Sequence, residues 1–180
     1  MVEEIVERIR QKDQRAMSQL YNMYVKQLSS VCYRYVPSKN DAKDVLQNSF
    51  VKIFTLLPTF DYRGEEALKV WMTKMVVHES LNYLRERKKL RFEAFDETSL
   101  QPSDEDPPQP ERLSPDELHQ LISELPDGYR TVVNLYAFEG YSHRQIAELL
   151  SIKESTSASQ LYFAKQLLAK RIKEIINGKR

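Results

Sequence analysis

The chain has 180 residues, with 41% hydrophobic and 29% charged residues, one cysteine and a formal net charge of +1. A single cysteine excludes an internal disulfide, and the sequence shows no signal peptide and no run of about 18 apolar residues that could insert into a membrane. We therefore expect a reduced, cytoplasmic protein with one medium core or two small ones.

The composition and its changes along the chain predict the architecture. Four glycines and many Leu, Lys, Glu, Arg and Gln residues favour helix, and no segment has the sustained alternation of a strand. Residues 91–114 are proline-rich and hold seven acidic residues against two basic ones, which is typical of an extended linker. We therefore predict an all-α protein, with two small helical domains, residues 1–90 and 115–180, joined by this acidic linker.

The first helix predicted in the N-terminal domain ends before Pro37. Its apolar residues recur at spacings of three and four, as on one face of a helix: Leu20, Tyr24, Leu28, Val31 and Tyr35. A second helix is expected to have Asp41 as its N-cap and to end before Pro58. The apolar stripe of this second helix consists of Val45, Leu46, Phe50, Ile53, Phe54 and Leu57.

The second predicted helix also has a polar face. Asp41, Asp44 and Gln47 recur at intervals of three residues, away from the apolar stripe. A face of this kind is by default a solvated surface, so the pattern alone assigns it no partner.

The third predicted helix begins near Glu65 or Glu66 and ends in the basic run NYLRERKKLR. The loop before it, TFDYRG, holds two aromatic residues and an arginine, and Trp71 follows in the helix. Aromatic side chains beside basic ones suit unpaired nucleic-acid bases. The alternatives are a solvated basic helix end and a Trp71 that packs in the core.

Residues 142–168, SHRQIAELLSIKESTSASQLYFAKQLL, predict a short helix, a tight turn and a second helix. On the second helix an inward face is formed by Ser157, Leu161, Ala164 and Leu168, with Gln160 at its edge. The opposite face holds Ser155, Thr156, Ser159, Tyr162, Phe163 and Gln166. Only some helix pairs of this kind enter a DNA groove, so DNA binding needs support from the rest of the chain.

Signs of catalysis are missing from the sequence. His78, His119 and His143 are far apart, and there is no HxxxH pair, CxxC pair or glycine-rich phosphate loop. We therefore predict no enzyme, no metal site and no cofactor, and a surface or capping role for His119 and His143.

The order and spacing of these segments resemble an extracytoplasmic-function sigma factor, a small two-domain member of the sigma-70 family. The segment DAKDVLQNSFVKIF is similar to the family's polymerase-binding helix, FDYRGEEALKVWMTKMVVHESLNYLRERKK to its minus-ten segment, and residues 124–168 to its minus-thirty-five domain. The resemblance implies a subunit that binds core RNA polymerase, directs it to promoters and opens the DNA.

The resemblance also implies a role for particular residues. Contacts with the clamp helices of the polymerase β' subunit fall to Asp41, Asp44, Gln47 and Phe50. Contacts with minus-ten DNA fall to Phe60, Tyr62, Arg63, Trp71, Lys74, His78, Asn82, Arg85, Lys88 and Lys89. Contacts with minus-thirty-five DNA fall to Ser155, Thr156, Ser159, Tyr162, Phe163, Lys165 and Gln166. The polymerase β flap and an anti-sigma factor are further implied partners.

Four residues depart from the family's usual pattern. His78 stands where asparagine is frequent, which changes the donors and acceptors offered to a base. Ser151 and Ser155 stand where glycine is common, so the turn at Ser151 is expected to need either a strained backbone or a slightly different register. Phe163 stands where an arginine is frequent, which removes a phosphate contact.

Two other functions fit parts of the same sequence. One is a helix-turn-helix regulator that binds duplex DNA without polymerase, and the other is a helical adaptor that binds only protein. The polar face of the second helix, followed by an aromatic and basic third helix, favours the sigma factor over both.

Overall fold

In the parts of the chain that the computed structural model describes, residues 1–87, 90–92 and 110–178, every regular element is a helix. The chain divides into two compact units, with the division between residues 87 and 88. The prediction of an all-α protein with two helical domains is therefore confirmed.

The first unit contains four helices: α1 (Val2–Arg10), α2 (Gln14–Tyr35), α3 (Lys39–Leu56) and α4 (Glu65–Glu86), with a 3-10 turn at Leu57–Thr59. The described residues of the second unit form another four, preceded by a 3-10 turn at Pro110–Arg112: α5 (Pro115–Ser123), α6 (Asp127–Val133), α7 (His143–Leu150) and α8 (Glu154–Gly178). A wider π-helical turn, Asn134–Phe138, continues α6.

The core of the first unit lies between α2, α3 and α4, which all pack against one another. The residues predicted to face inward on α2 are all buried, and α2 ends at Tyr35, shortly before Pro37. Cys32 of α2 is buried at the contact of the three helices, with its Sγ 3.5 Å from the Ala42 carbonyl oxygen and 3.9 Å from the Ser80 hydroxyl oxygen. Burial raises the pKa of the Cys32 thiol to about 11.

The start of α3 differs from the prediction. Its N-cap is Ser38, whose hydroxyl accepts from the backbone N–H of Asp41 at 3.4 Å, whereas Asp41 lies in the first turn of the helix. Ser and Asp are comparably good caps, so the choice between two nearby candidates could not be made from residue type. In the first turn the negative charge of the Asp41 carboxylate still interacts favourably with the positive end of the helix dipole.

Helix α1 was not predicted. Its nine residues bury Val2, Val6 and Ile9, and it packs on α2 and on the turn at Leu57–Thr59. The turn from α1 to α2 is tight: Lys12 has a left-handed backbone (φ +63°), and Asp13 caps α2 by accepting from the N–H groups of Arg15 and Ala16.

The second unit is organised around α8, which packs against α5, α6 and α7. Arg130 of α6 is only 4% exposed and donates to the carbonyls of Leu125 (2.8 Å) and Ser123 (3.4 Å), besides pairing with Asp127. These bonds satisfy the Ser123 carbonyl at the end of α5, which has no partner within the helix, and the Leu125 carbonyl in the connection to α6.

Most of the predicted linker, residues 91–114, lies outside the described residues. Its final part is packed, because Leu113 is buried against Leu121 and Ile172. At its other end the Arg91 carbonyl passes so close to Gly128 that a Cβ there would lie 2.4 Å from the oxygen. The described ends of the segment therefore contact the second unit, whereas the prediction of an extended linker concerns mainly residues outside the described part.

Of the two outcomes expected for the turn between α7 and α8, the structure has the strained backbone. Ser151 adopts a left-handed conformation with φ +56°, which costs about 1–2 kcal/mol for a residue with a Cβ. The other end of α7 is well capped, because Ser142 and Gln145 form a reciprocal capping box.

We predict that Ser151→Gly stabilises the α7–α8 pair by roughly 0.5–1 kcal/mol, since relief of the left-handed strain exceeds the added entropy of the unfolded chain. Ser142→Ala, which removes the capping box, should destabilise the same region by about 1 kcal/mol. Hydrogen exchange of the α7 and α8 amides measures both effects. Unchanged or faster exchange in Ser151→Gly would contradict the strain argument.

Candidate polymerase and nucleic-acid interfaces

The α3 face, defined by Asp41, Asp44 and Gln47, lies on the outside of the first unit. Asp44 and Gln47 are exposed and Asp41 is half-buried. The face continues along the helix through Val51, which is 65% exposed. Val51 was not predicted, although an apolar residue within a polar face is a signal that the sequence contains.

Phe50, which the resemblance assigned to the same contact, is not on this face. Its side chain is 4% exposed, and its ring lies 4.6 Å from that of Tyr21 and 5.9 Å from that of Phe54. Phe50 therefore packs in the core beneath the α3 face, where a partner cannot contact it.

An open groove of about 370 Å³ lies between α2 and α3. It is lined by Met17, Ser18, Tyr21, Asn22 and Phe54. Tyr21 is 39% exposed. Sequence reasoning missed the groove because it is formed between helices, although Met17 and Tyr21, four residues apart and outside the predicted apolar stripe, were a signal of it.

Residues 60–63 form a loop that holds three of the predicted minus-ten residues, and we call it the recognition loop after that predicted role. Phe60 packs on Trp71, with ring centroids 4.7 Å apart and an angle of 31° between the planes. Both rings are half-buried, as is Tyr62, whereas Arg63 is exposed and pairs with Asp61 at 2.7 Å. Trp71 is thus neither fully buried in the core nor fully available for stacking with a base, because Phe60 covers part of its ring.

A polar cluster fixes the end of the recognition loop to α2. The Tyr24 hydroxyl donates to Glu65 at 3.1 Å, and Lys69 pairs with Glu65 at 3.0 Å and with Glu66 at 2.8 Å. Burial, followed by the hydrogen bond to Glu65, raises the pKa of Tyr24 to about 12. Hydrogen bonds from Lys69 and then from Tyr24 lower the pKa of Glu65. Gly64, with φ +111°, allows the chain to turn into α4 just before this cluster.

The α4 face is a stripe of four predicted minus-ten residues, Lys74, His78, Asn82 and Arg85. Lys74, His78 and Arg85 are exposed and Asn82 is half-buried, and the spacing of three or four residues places them on one side of the helix. Arg85 donates to Asn82 at 3.3 Å. Lys88 and Lys89 lie outside the described residues.

The protonation state of His78 follows from its neighbours. Although the residue as a whole is exposed, partial desolvation of the ring lowers the pKa of His78 most, and the positive charges of Arg85 and Lys74 lower it further, against an opposing effect of Glu79. Because the pKa of His78 lies below its ordinary value, the imidazole is neutral at pH 7. It therefore offers one donor and one acceptor and no charge.

The α8 face holds the residues predicted for minus-thirty-five DNA. Four of them are exposed, namely Ser155, Ser159, Tyr162 and Lys165, and three are half-buried, namely Thr156, Phe163 and Gln166. The Tyr162 and Phe163 rings meet edge to face at 5.4 Å. On the opposite side Ser157, Leu161 and Ala164 are buried as predicted, and Gln160, expected at the edge, is buried as well.

His143, the first residue of α7, connects α7 to α8, the helix on which this face lies. Its Nδ1 lies 3.0 Å from the Ser157 hydroxyl oxygen, and its ring stacks on Tyr136 at 4.8 Å. Sequence reasoning gave His143 only a surface or capping role. His119 has a looser contact, with its ring 6.1 Å from that of Phe138.

Neither a metal cluster nor a membrane span is found within the described residues. No group of three or more His, Cys, Asp or Glu side chains there could hold a metal ion. Likewise, none of the helices in this part of the chain is both long and apolar enough to cross a bilayer.

Comparisons with known proteins match both units. Residues 20–90 match the family model of sigma-70 region 2, and residues 116–168 match that of sigma-70 region 4. The ECF RNA polymerase sigma-E factor of Haemophilus influenzae is 29% identical over 96% of this chain and 95% of its own length. The sigma-E factor of Escherichia coli is 28% identical over 96% and 94%.

Two solved structures share the fold. One is CnrH in complex with the cytosolic domain of CnrY, with a TM-score of 0.50 and 20% identity over 94% of this chain and 96% of that one. The other is the sigma factor RpoE of Bartonella quintana with the anti-sigma factor NepR, with a TM-score of 0.52 and 18% identity over 87% and 96%. With regions 2 and 4 present in order, and with similarity to sigma-E factors along its length, the chain belongs to the sigma-70 family and is an extracytoplasmic-function sigma factor.

Proposed function

We propose that this sigma factor binds core RNA polymerase through the α3 face, opens minus-ten DNA with the recognition loop and the α4 face, and holds minus-thirty-five DNA with the α8 face. The observation that carries the proposal is that region 2 has two exposed faces of different chemistry. One exposed face is acidic and polar, another is basic and borders half-buried aromatic rings. A protein partner and a nucleic acid can therefore be bound by the same small unit.

The polymerase contact combines polar and apolar parts. Asp44 and Gln47 offer a carboxylate and an amide to a polar partner, and the clamp helices of β' are that partner by family membership. Val51 and the groove beside Tyr21 and Phe54 add apolar surface that binding would remove from water. Charged groups at the edge of an interface orient the two proteins and speed their association, while the apolar surface contributes most of the affinity.

Strand opening requires that an unpaired base gain interactions to offset those it loses. Stacking on an aromatic ring contributes roughly 1–3 kcal/mol per base. Phe60, Tyr62 and Trp71 provide such rings, and His78 and Asn82 provide donors and acceptors for a base edge. Lys74 and Arg85, with Lys88 and Lys89 of the adjoining segment, supply positive charge for the phosphates.

Region 4 holds duplex DNA through α8, as the second helix of its helix-turn-helix. Ser155, Thr156, Ser159 and Gln166 can bond phosphates and base edges in the major groove, and Lys165 supplies charge. Phe163 can make an apolar contact with the methyl group of a thymine. The same unit is the partner of the polymerase β flap by family membership.

An anti-sigma factor is a further partner that we propose for this chain. The support is the pair of solved structures with the same fold, one of which is a complex with an anti-sigma factor. Since polymerase and promoter DNA are the working partners, the chain acts in the cytoplasm, without catalysis, cofactor or membrane insertion.

The direct test is reconstitution with core polymerase. Wild-type chain should form a holoenzyme that starts transcription at specific promoters, and Asp44→Arg should weaken assembly at least tenfold, because it places a cation where a carboxylate meets the partner. Titration of labelled core gives the affinity.

Glu4→Arg is the matched control, since it makes the same charge change on an exposed residue of α1 and should assemble as wild type does. Equal core affinity of Asp44→Arg and wild type would remove the α3 face from the interface. Tight, specific duplex binding by the chain alone, with no holoenzyme formed, would favour a regulator that acts without polymerase.

Salt dependence separates charge from base recognition on the α4 face. Each phosphate contact contributes about 0.7–0.9 to the slope of log K against log salt, so Lys74→Ala should reduce the slope of promoter binding by about that amount. His78→Asn should leave the slope unchanged at pH 7.5, because a lowered pKa makes the imidazole neutral there. The measurement is holoenzyme binding to one promoter at several salt concentrations, with Lys26→Ala of α2 as control. An equal loss of slope in His78→Asn would show that His78 is charged in the complex.

A further inference from the structure

Arg10, the last residue of α1, bonds the recognition loop from 50 positions away in the sequence. Its Nη2 donates to the Phe60 carbonyl oxygen at 2.8 Å. Its Nη1 pairs with Glu7, one turn earlier in α1, at 3.0 Å. The side chain is 35% exposed, so the guanidinium spans from the helix end to the first residue of the loop.

The base from which Arg10 extends is held firmly. Val6 and Ile9 of α1 are each 1% exposed, and Arg8 bonds Asp13 at 2.9 Å through its Nε. The Asp13 carboxylate also caps α2. The pKa of Asp13 is lowered, above all by the hydrogen bond from Arg8, so the carboxylate stays ionised at neutral pH. The end of α1 is therefore fixed to the start of α2.

The loop has one anchor at each end. Phe60 is held at its carbonyl by Arg10, while its N–H donates to the Leu57 carbonyl at 3.1 Å. At the far end the cluster of Tyr24, Glu65 and Lys69 fixes the first turn of α4. Between these anchors Asp61 and Arg63 face solvent. Without Arg10 the Phe60 carbonyl would lose this bond, and the start of the loop would be held only by the Phe60 N–H bond to Leu57 and by the contact of the Phe60 ring with Trp71.

Base discrimination depends on how accurately such a loop is held. A site of this kind requires its groups to stay within about 0.5 Å of the productive geometry. A rotation of the backbone at Phe60 would move the Phe60 ring over Trp71 and shift Tyr62 together with it. Both rings belong to the proposed surface for an unpaired base.

We propose that Arg10 is a positioning residue for promoter recognition, which fixes the Phe60 carbonyl and thereby sets which base the recognition loop accepts in the minus-ten element. The proposal rests on the proposed function of that loop. It gives α1 a part in specificity, although α1 itself lies outside the matched region 2 model, which begins at residue 20.

The test compares Arg10→Ala, Arg10→Lys and Glu7→Gln. In the free chain, hydrogen exchange of the loop amides and the emission of Trp71, the one tryptophan of the chain, report on the loop itself. In holoenzyme, the rate of opening is measured on a promoter and on variants with each minus-ten base replaced. The ratio of these rates is the discrimination.

Arg10→Ala should speed exchange at residues 60–63, shift the Trp71 emission and lower discrimination about tenfold, which lies within the roughly five- to 150-fold that a wrong base pair costs. Arg10→Lys keeps one donor and should recover part of the discrimination. Glu7→Gln keeps the bond from Arg10 to Phe60 and should match wild type. Core affinity and minus-thirty-five binding should be equal in all four proteins.

Two results would overturn the role of Arg10 while leaving the proposed function of the loop intact. One is discrimination unchanged in Arg10→Ala, even where the loop amides exchange faster. The other is opening lowered equally on every promoter variant, since that is the sign of a purely structural role. If wild-type holoenzyme itself showed no minus-ten preference while Arg10→Ala still loosened the loop, the fault would lie in the proposed function of the loop, and the role of Arg10 would fall with it.

Discussion

The mutual packing of α2, α3 and α4 is the constraint on which the first unit depends. Each of these helices has to bury one face in the same core, so only the opposite face remains for a partner. On α4 the burial of Leu68, Met72 and Val76 turns Lys74 and His78 outward. On α3 the burial of Val45 and Ile53 does the same for Asp44 and Gln47. The positions of the binding faces are thus a result of core formation.

Much of this could be predicted because helical periodicity and proline are strong signals. The 3.6-residue pattern in residues 20–35, together with Pro37, predicted the inner face and the end of α2. At Ser151, by contrast, the family resemblance predicted either strain or a changed register, because glycine is common at that place. Helix α1 escaped prediction because nine residues with three buried positions are a weak pattern. Phe50 was assigned to a contact by family resemblance, although its spacing from Leu46 and Ile53 placed it on the inner face.

What could not be predicted are contacts between residues distant in sequence. The bond from Arg10 to Phe60, the cluster of Tyr24 with Glu65, and the hydrogen bond between His143 and Ser157 all join different elements. Local pattern carries no information on such pairs, because it relates only residues that are close in sequence. These are nevertheless the contacts that orient the recognition loop and the helix-turn-helix. Sequence therefore indicates which residues are available for function more readily than how accurately they are held.

The burial of Cys32 bears on the kinds of signal that the chain can sense. Oxidants attack the thiolate form of cysteine, and a thiol with a pKa of about 11 is almost entirely protonated at neutral pH. The Cys32 side chain is also 0% exposed, so a peroxide or a disulfide reagent has no access to it while the unit is folded. Cys32 is the one cysteine of the chain, so folding of the first unit shields the chain's single thiol from oxidation and from disulfide exchange.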